Sequence, residues 1–233
     1  MKILEEALDK LEIPYHDYVV DQFRTYMDGI LEWNDKINLT AITEHDEFII
    51  KHFVDSILCY SFDEYQDADE VIDVGTGGGF PGIPLAILSP EKDFVLADSL
   101  NKRLKVIDSL CEESEIYNVE TVHGRAEELG RKEQYRETFD ACVSRAVANL
   151  SVLCEYCLPF VRPGGYLLAF KGPEAEAEAK KAEKAIKTLG GKLVRIESVS
   201  LDGYEHNICV IEKVKKTPDK YPRKPGTPAK SPL

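Results

Sequence analysis

From Val71 onward the chain changes rhythm, and that change limits its possible folds more than any other feature. "VIDV", "DFVLAD", "VETVH", "FDACVS" and "GYLLAFK" are short apolar runs of strand length. Between them lie "PGIPLAILS", "NKRLKVIDSLCEES", "RAEELG", "LSVLCEYCLPFV" and "EAEAEAKKAEKAIKTLG", which read as helices or helical turns. Strands that alternate with helices bury both faces as a parallel sheet between two helical layers. "KLVRIESVSL" and "HNICVIEKV" then follow without a helix between them, which suits a closing antiparallel pair. The expected fold is α/β, a Rossmann-like sheet of seven strands, most of them parallel.

Upstream of Val71 the pattern is helical. Ile3, Leu4, Leu8 and Leu11 recur at helical spacing, Pro14 ends that helix, and "YVVDQFRTYMDGILEW" and "EFIIKHFVDSILCY" continue the pattern. The expected organisation is a helical cap over 1–65, the α/β domain over 66–214, and a proline-rich arm over 215–233. The arm, "TPDKYPRKPGTPAKSPL", carries five prolines and is expected to stay extended, outside any sheet or helix.

The chain starts with a charged, helix-patterned stretch instead of a signal-peptide core, and no apolar run reaches the ~20 residues of a membrane span. Its six cysteines therefore read as reduced thiols of a cytoplasmic protein. Cys154 and Cys157 form a C-x-x-C without a second pair, so two small core residues are expected, and no metal. The sequence is silent on oligomeric state, for which a monomer is the expectation.

A net charge of −13 speaks against a polyanionic partner, but its distribution does not. Residues 1–70 hold 18 acids and 5 bases, whereas residues 213–233 hold one acid and seven bases. Such asymmetry points to a basic binding tail on an acidic body. Lys220, Arg223 and Lys224 are candidate phosphate contacts on the arm, and Lys171, at the end of the fifth strand, is another. Removing the arm should weaken binding of such a polyanion and leave ligand binding by the body intact.

The chemistry is expected in "VIDVGTGGGFPGIPLAI". In a doubly wound sheet, ligands bind at the carboxyl ends of the strands, and the loop after the first strand is the natural site. Gly77-Gly-Gly79-Phe-Pro-Gly82 is formally a dinucleotide G-x-G-x-x-G. Asp73-Val-Gly75-Thr-Gly77-Gly-Gly79 is formally D-x-G-x-G-x-G, the loop that class I methyltransferases wrap around S-adenosylmethionine. The immediate start of the glycines after the strand and the closing hairpin favour the second reading, with NAD as the alternative. Gly75, Gly77 and Gly79 would let the main chain lie against the cofactor, and Asp73 would face its cationic end or else cap loop amides. Asp98, followed by Ser99, ends the second strand, where a carboxylate can take both ribose hydroxyls. After the fourth strand stands Ser144-Arg145-Ala146 in place of the Asn/Asp-Pro-Pro-aromatic motif of amine methylation, and the Pro-Cys setting of carbon-5 methylation is missing too. A ring nitrogen such as guanine N7 needs neither device, because it has no proton to lose.

The stretches "WNDKINLTAI", "KHFVDSI", "ADSLNKR", "HGRAEEL", "VSRAVANL", "KGP" and "KYPRKPGTP", together with the glycine loop, cover nearly the whole chain. In this combination the chain resembles the bacterial guanine-N7 methyltransferases of 16S ribosomal RNA, long called glucose-inhibited division protein B. The resemblance implies S-adenosylmethionine as cofactor, S-adenosylhomocysteine as product, and one guanine of the small-subunit RNA, free or in the particle, as target. It implies that Gly75 and Phe80 line the cofactor pocket, that Ala126 and Glu127 hold the adenine, and that Arg145, the candidate catalytic residue, lies beside the methyl-transfer site. Just before the last expected strand, His206-Asn207 stand where the family often has an arginine. His52, Asn38 and His123 receive no assigned role. A second class of function is a methyltransferase-like fold that binds ribosomal RNA without catalysis; retention of Asp73, the glycines and Asp98 argues against it.

Overall fold

The first two helices, α1 (Lys2–Lys10) and α2 (Asp17–Asn34), each bury a single apolar stripe: Leu4, Ala7 and Leu8 on one, Phe23, Tyr26, Met27 and Ile30 on the other. This protein, a computed structural model, is described over residues 1–201 and 204–233. A third helical stretch runs from α3 (His45–Phe48) through a π-helical segment (Ile49–Val54) into α4 (Asp55–Ile57), followed by α5 (Asp63–Gln66). The alternating part comprises β1 (Glu70–Val74), α6 (Gly82–Leu88), β2 (Asp93–Asp98), α7 (Asn101–Glu113), β3 (Val119–His123), α8 (Ala126–Leu129), β4 (Phe139–Arg145) and α9 (Leu150–Cys157). It ends with β5 (Val161–Lys171), α10 (Ala175–Thr188), β6 (Gly191–Leu201), β7 (Tyr204–Lys213) and α11 (Thr227–Lys230).

The seven strands form one sheet in the order β3-β2-β1-β4-β5-β7-β6, and β7 alone runs against the direction of the other six. The register sets Val74 beside Ala97 and Asp73 beside Val143, so β1, β2 and β4 end at one edge. His206 and Asn207 lie inside β7, paired with Val199 and Ser198, not ahead of it.

Two apolar layers sandwich the sheet. One joins Phe23, Phe48, Phe53 and Ile57 of the N-terminal helices to Leu96, Val143 and Leu168 of the strands. The cap is thus a layer of the α/β sandwich with which it shares a core. The other layer holds Cys142, Cys154, Cys157 and Cys209 beneath α9 and α10, all free thiols. No helix of the described residues is long and apolar enough to cross a membrane.

The C-terminal arm departs from expectation. It folds back on the body and ends in α11. Arg136 donates to the carbonyls of Thr217 (2.8 Å) and Tyr221 (2.9 Å), and Tyr221 is buried in the second layer. Lys213 is fully buried, donating to Leu158 and Val161 carbonyls and pairing with Glu137 at 3.1 Å. Arg223 closes on the buried Glu155 through its amide and guanidinium. Donors from the body satisfy the segment's carbonyls, which prolines alone could not do, so the arm is not extended. The charges of Lys213 and Arg223 serve the fold instead of phosphate.

The cap is docked through Gly79. Its φ is +95°, and a Cβ there would come within 2.3 Å of Tyr26 Oη and 2.7 Å of Ile83 Cγ1. Tyr26 Oη donates to the Gly78 carbonyl at 2.9 Å in the interior. Chemical denaturation should show Tyr26→Phe costing about 1 kcal/mol, and Gly79→Ala costing about 2–4 kcal/mol, from overpacking added to a left-handed backbone.

Candidate active site

The glycine loop is built around a carboxylate. Asp73, fully buried, accepts at Oδ2 from Thr76 Oγ1 (2.7 Å) and the Gly82 amide (2.9 Å), while its Oδ1 has no partner among the described residues. Burial pushes its carboxyl up to about 7, against the two hydrogen bonds and the charge of Arg145, which pull it down; Asp98 adds to the rise. Asp73 therefore staples the loop from beneath, which is the second of its two expected roles, that of a carboxylate capping loop amides. Gly79 packs closely on Tyr26.

Five further loop amides, those of Gly75, Thr76, Gly77, Gly79 and Phe80, are also spent. Gly75 and Thr76 donate to the Ala97 carbonyl, Gly79 and Phe80 to Thr76, and Gly77 to Asp98 Oδ2 at 3.0 Å. A dinucleotide pyrophosphate needs free amides and positive potential here; it would meet the Asp98 carboxylate instead. Gly77 still leaves room for a ligand without phosphates, because its φ is +61° and a Cβ would meet nothing within 4 Å.

Two cavities open at this edge and share Gly75 and Val147. The smaller, about 140 Å³, is lined by Asp98, Ser99, Ala126, Glu127 and Tyr156. Asp98 is anchored by the Gly77 and Leu100 amides, and Glu127 is buried, accepting from the Gly226 amide at 2.9 Å. A carboxylate for hydroxyls beside a carboxylate and loop backbone for a base edge suits a nucleoside. Val147 sits where a Gly75 Cβ would be, 2.5 Å from its Cγ2, so Gly75 cannot carry a side chain.

The larger cavity, about 870 Å³, is walled by the cap on one side and by the ends of β4, β5 and β7 on the other. Arg145 leaves β4 there and binds the Asp55 carboxylate and the Lys51 carbonyl (2.9 Å). That carbonyl belongs to the π-helical segment, where i to i−4 bonding is interrupted. Arg145 Nη2 also donates to His52 Nδ1 at 3.3 Å, so a neutral His52 carries its proton on Nε2 and donates to Thr40 Oγ1 at 2.7 Å. The His52 ring stacks on Phe80 at 4.4 Å. Burial, with the Arg145 charge, lowers His52 to about 3. Burial would raise Asp55, but the hydrogen bond from His206 Nδ1 (2.7 Å) and the Arg145 charge outweigh it and hold the carboxyl below its usual range. Ala146, next to Arg145, takes φ +57°, a left-handed turn unusual for a residue with a Cβ.

The match of sequence to a family description is as specific as this geometry. The family model for rRNA small subunit methyltransferase G matches residues 19–209. The chain belongs to that family. A ribosomal RNA small subunit methyltransferase G of Clostridium novyi is 51% identical over 99% of this chain and 96% of its own length, and that of Clostridium tetani 49% over 99% and 98%. Among solved structures, an O-methyltransferase of Bacillus cereus in complex with SAH superposes at TM-score 0.57, with 17% identity over 89% of this chain and 96% of its own. TomG, an O-methyltransferase of Streptomyces achromogenes in complex with SAM, does so at 0.57, with 14% identity over 89% and 94%. The fold is that of the class I methyltransferases.

Set in this family's fold, the expected residues divide. Gly75, Gly77, Phe80, Asp98, Ser99, Ala126, Glu127 and Arg145 all line the two cavities. Lys171 lines the larger one too, but its ammonium donates to the Ala148 carbonyl (2.6 Å) and pairs with Glu178 (2.9 Å), which holds the 146–149 loop instead of facing phosphate. Asn38 meets Arg103 through its carbonyl, and His123 contacts the Ser99 carbonyl. Asp55, Glu155 and Tyr156 were not singled out; Asp55 stands in the quoted "KHFVDSI", but only packing pairs it with Arg145. Because the Asp73 carboxyl sits near 7 when folded and near 3.8 when unfolded, the unfolded chain alone is ionised between those values. Stability should then fall as pH rises through that window, by up to about 1.4 kcal/mol per unit. Asp73→Asn should remove this contribution, which urea midpoints at pH 4.5, 5.5 and 6.5 would reveal.

Proposed function

We infer that this chain methylates N7 of a guanine in 16S ribosomal RNA with S-adenosylmethionine as donor. The observation that carries the reading is the larger cavity, opening beside the glycine loop, where the two groups bound to Arg145, His52 and Asp55, are both held away from titration near neutral pH. An acceptor that had to lose a proton would want a base poised near the working pH; guanine N7 has a lone pair and nothing to lose. When bound, S-adenosylmethionine supplies an electrophilic methyl group on sulfur and leaves as S-adenosylhomocysteine.

The chain's own contribution is positioning. Asp98 and Ser99 stand where ribose hydroxyls would be held, Ala126 and Glu127 where the adenine edge would be, and Gly75 and Gly77 let the main chain approach between them. On the acceptor side Phe80 offers an apolar ring edge, while Arg145, fixed by Asp55 and Lys51, holds the cap against the sheet and presents positive charge to the base. Exposed Lys220 and Lys224 remain available to phosphates on the outer surface, whereas Arg223 and Lys171 are already paired. The buried, free cysteines support a reducing compartment, the cytoplasm.

Methyl-labelled S-adenosylmethionine incubated with small ribosomal subunits, or with their RNA alone, should label 7-methylguanosine on nuclease digestion. Label in any other nucleoside, or none with either substrate, would refute the reading and favour a non-catalytic RNA-binding role in the second case. Single-turnover rates at saturating substrate should lack a tenfold rise per unit between pH 6 and 8; such a rise, abolished by one Asp, Glu or His substitution, would exclude N7.

A further inference from the structure

The folded-back C-terminal segment touches the body at two buried carboxylates beside the smaller cavity. Glu155 on α9 is 1% exposed and receives the amide of Arg223 at 2.8 Å, its Nε at 2.8 Å and its Nη2 at 2.6 Å. The next residue, Tyr156, lines the cavity. Three residues beyond Arg223, the Gly226 amide donates to Glu127 Oε1 at 2.9 Å, and Glu127, 4% exposed, lines the same cavity. A buried carboxylate is held in one orientation by the donors it accepts from, and the Gly226 amide is such a donor to Glu127. Gly226 itself takes a left-handed backbone, φ +79°.

We propose that the segment from Arg223 to Gly226 positions the adenine end of the cofactor pocket: Arg223, latched on Glu155, holds the Gly226 amide against Glu127, which leaves the second oxygen of Glu127 oriented toward the base. This rests on reading the smaller cavity as the adenosine site. It replaces the expectation that the C-terminal segment is separable from cofactor binding with the opposite one. Gly226 and Arg223 act through Glu127 and so are positioning residues.

The test is calorimetric binding of S-adenosylhomocysteine, and of its inosine analogue in which a 6-oxo group replaces the adenine amine, to the full chain. Gly226→Ala is the mild variant: a Cβ there would meet no atom within 4 Å, so it strains the left-handed backbone without a clash. Gly226→Ala should weaken S-adenosylhomocysteine binding about fivefold, the affinity equivalent of one hydrogen bond misplaced at Glu127, and weaken the inosine analogue less. Arg223→Ala should act in the same direction, and if it fails to fold, Gly226→Ala decides alone. In a Glu127→Ala background the Gly226→Ala effect should vanish, as expected of two residues acting through one contact. Native affinity in Gly226→Ala alongside a weakened Glu127→Ala overturns the proposal, as does equal weakening of both ligands or persistence of the effect without Glu127. Native affinity in Glu127→Ala overturns the adenosine-site reading itself, and the proposal with it.

Discussion

Asp73 Oδ2 takes the Thr76 hydroxyl and the Gly82 amide in the interior, where a carboxylate without donors would cost several kcal/mol. Two donors three and nine residues after the carboxylate, between β1 and α6, thereby oblige the loop to fold back on its own strand. That fold-back places Gly77 at the edge, where Asp98 captures its amide, and turns Gly79 onto Tyr26 of the cap. One buried carboxylate thus links the glycine loop, the second strand and the N-terminal helices. Burial raises its pKa to about 7, so this anchor keeps its proton more readily than a surface aspartate does.

The cap closes the cleft through a second polar knot. Arg145 brings its charge to Asp55, the Lys51 carbonyl and His52, and Asp55 in turn receives His206 from β7. Strands 4 and 7 and the third helical stretch therefore meet at one carboxylate. Pairing keeps Asp55 ionised and burial keeps His52 neutral, so the two side chains bound to Arg145 hold a constant charge across the physiological range. A constant charge suits a reaction in which alignment does the catalysis and no proton changes hands.

The acidic surplus of the chain is resolved differently from what charge counting implies. Two of the seven bases in the last 21 residues are consumed internally: Lys213 by Glu137 and two carbonyls, Arg223 by Glu155. Lysines at 215, 216, 220, 224 and 230 stay at the surface. The segment is both a structural strap and a basic edge, and its proline content shapes its path without preventing its docking.

Much of the fold was written locally. Alternation of apolar runs and amphipathic stretches follows from burial on both faces of a parallel sheet, and the hairpin end is visible as two strands in succession; neither depends on distant partners. The position of the glycine loop, Asp98 and Ala126-Glu127 at the strand ends follows from the same periodicity. What tertiary structure alone decided are the partners. Asp73 and Asp98 look alike in the sequence, yet packing buries one beneath the loop and leaves the other lining the cavity. Arg223 finds Glu155 across 68 residues and Gly226 finds Glu127 across 99. Contacts at that separation carry no periodic signature, because they depend on where whole elements pack, and a lone arginine in a proline-rich stretch reads the same whether it faces phosphate or a buried glutamate.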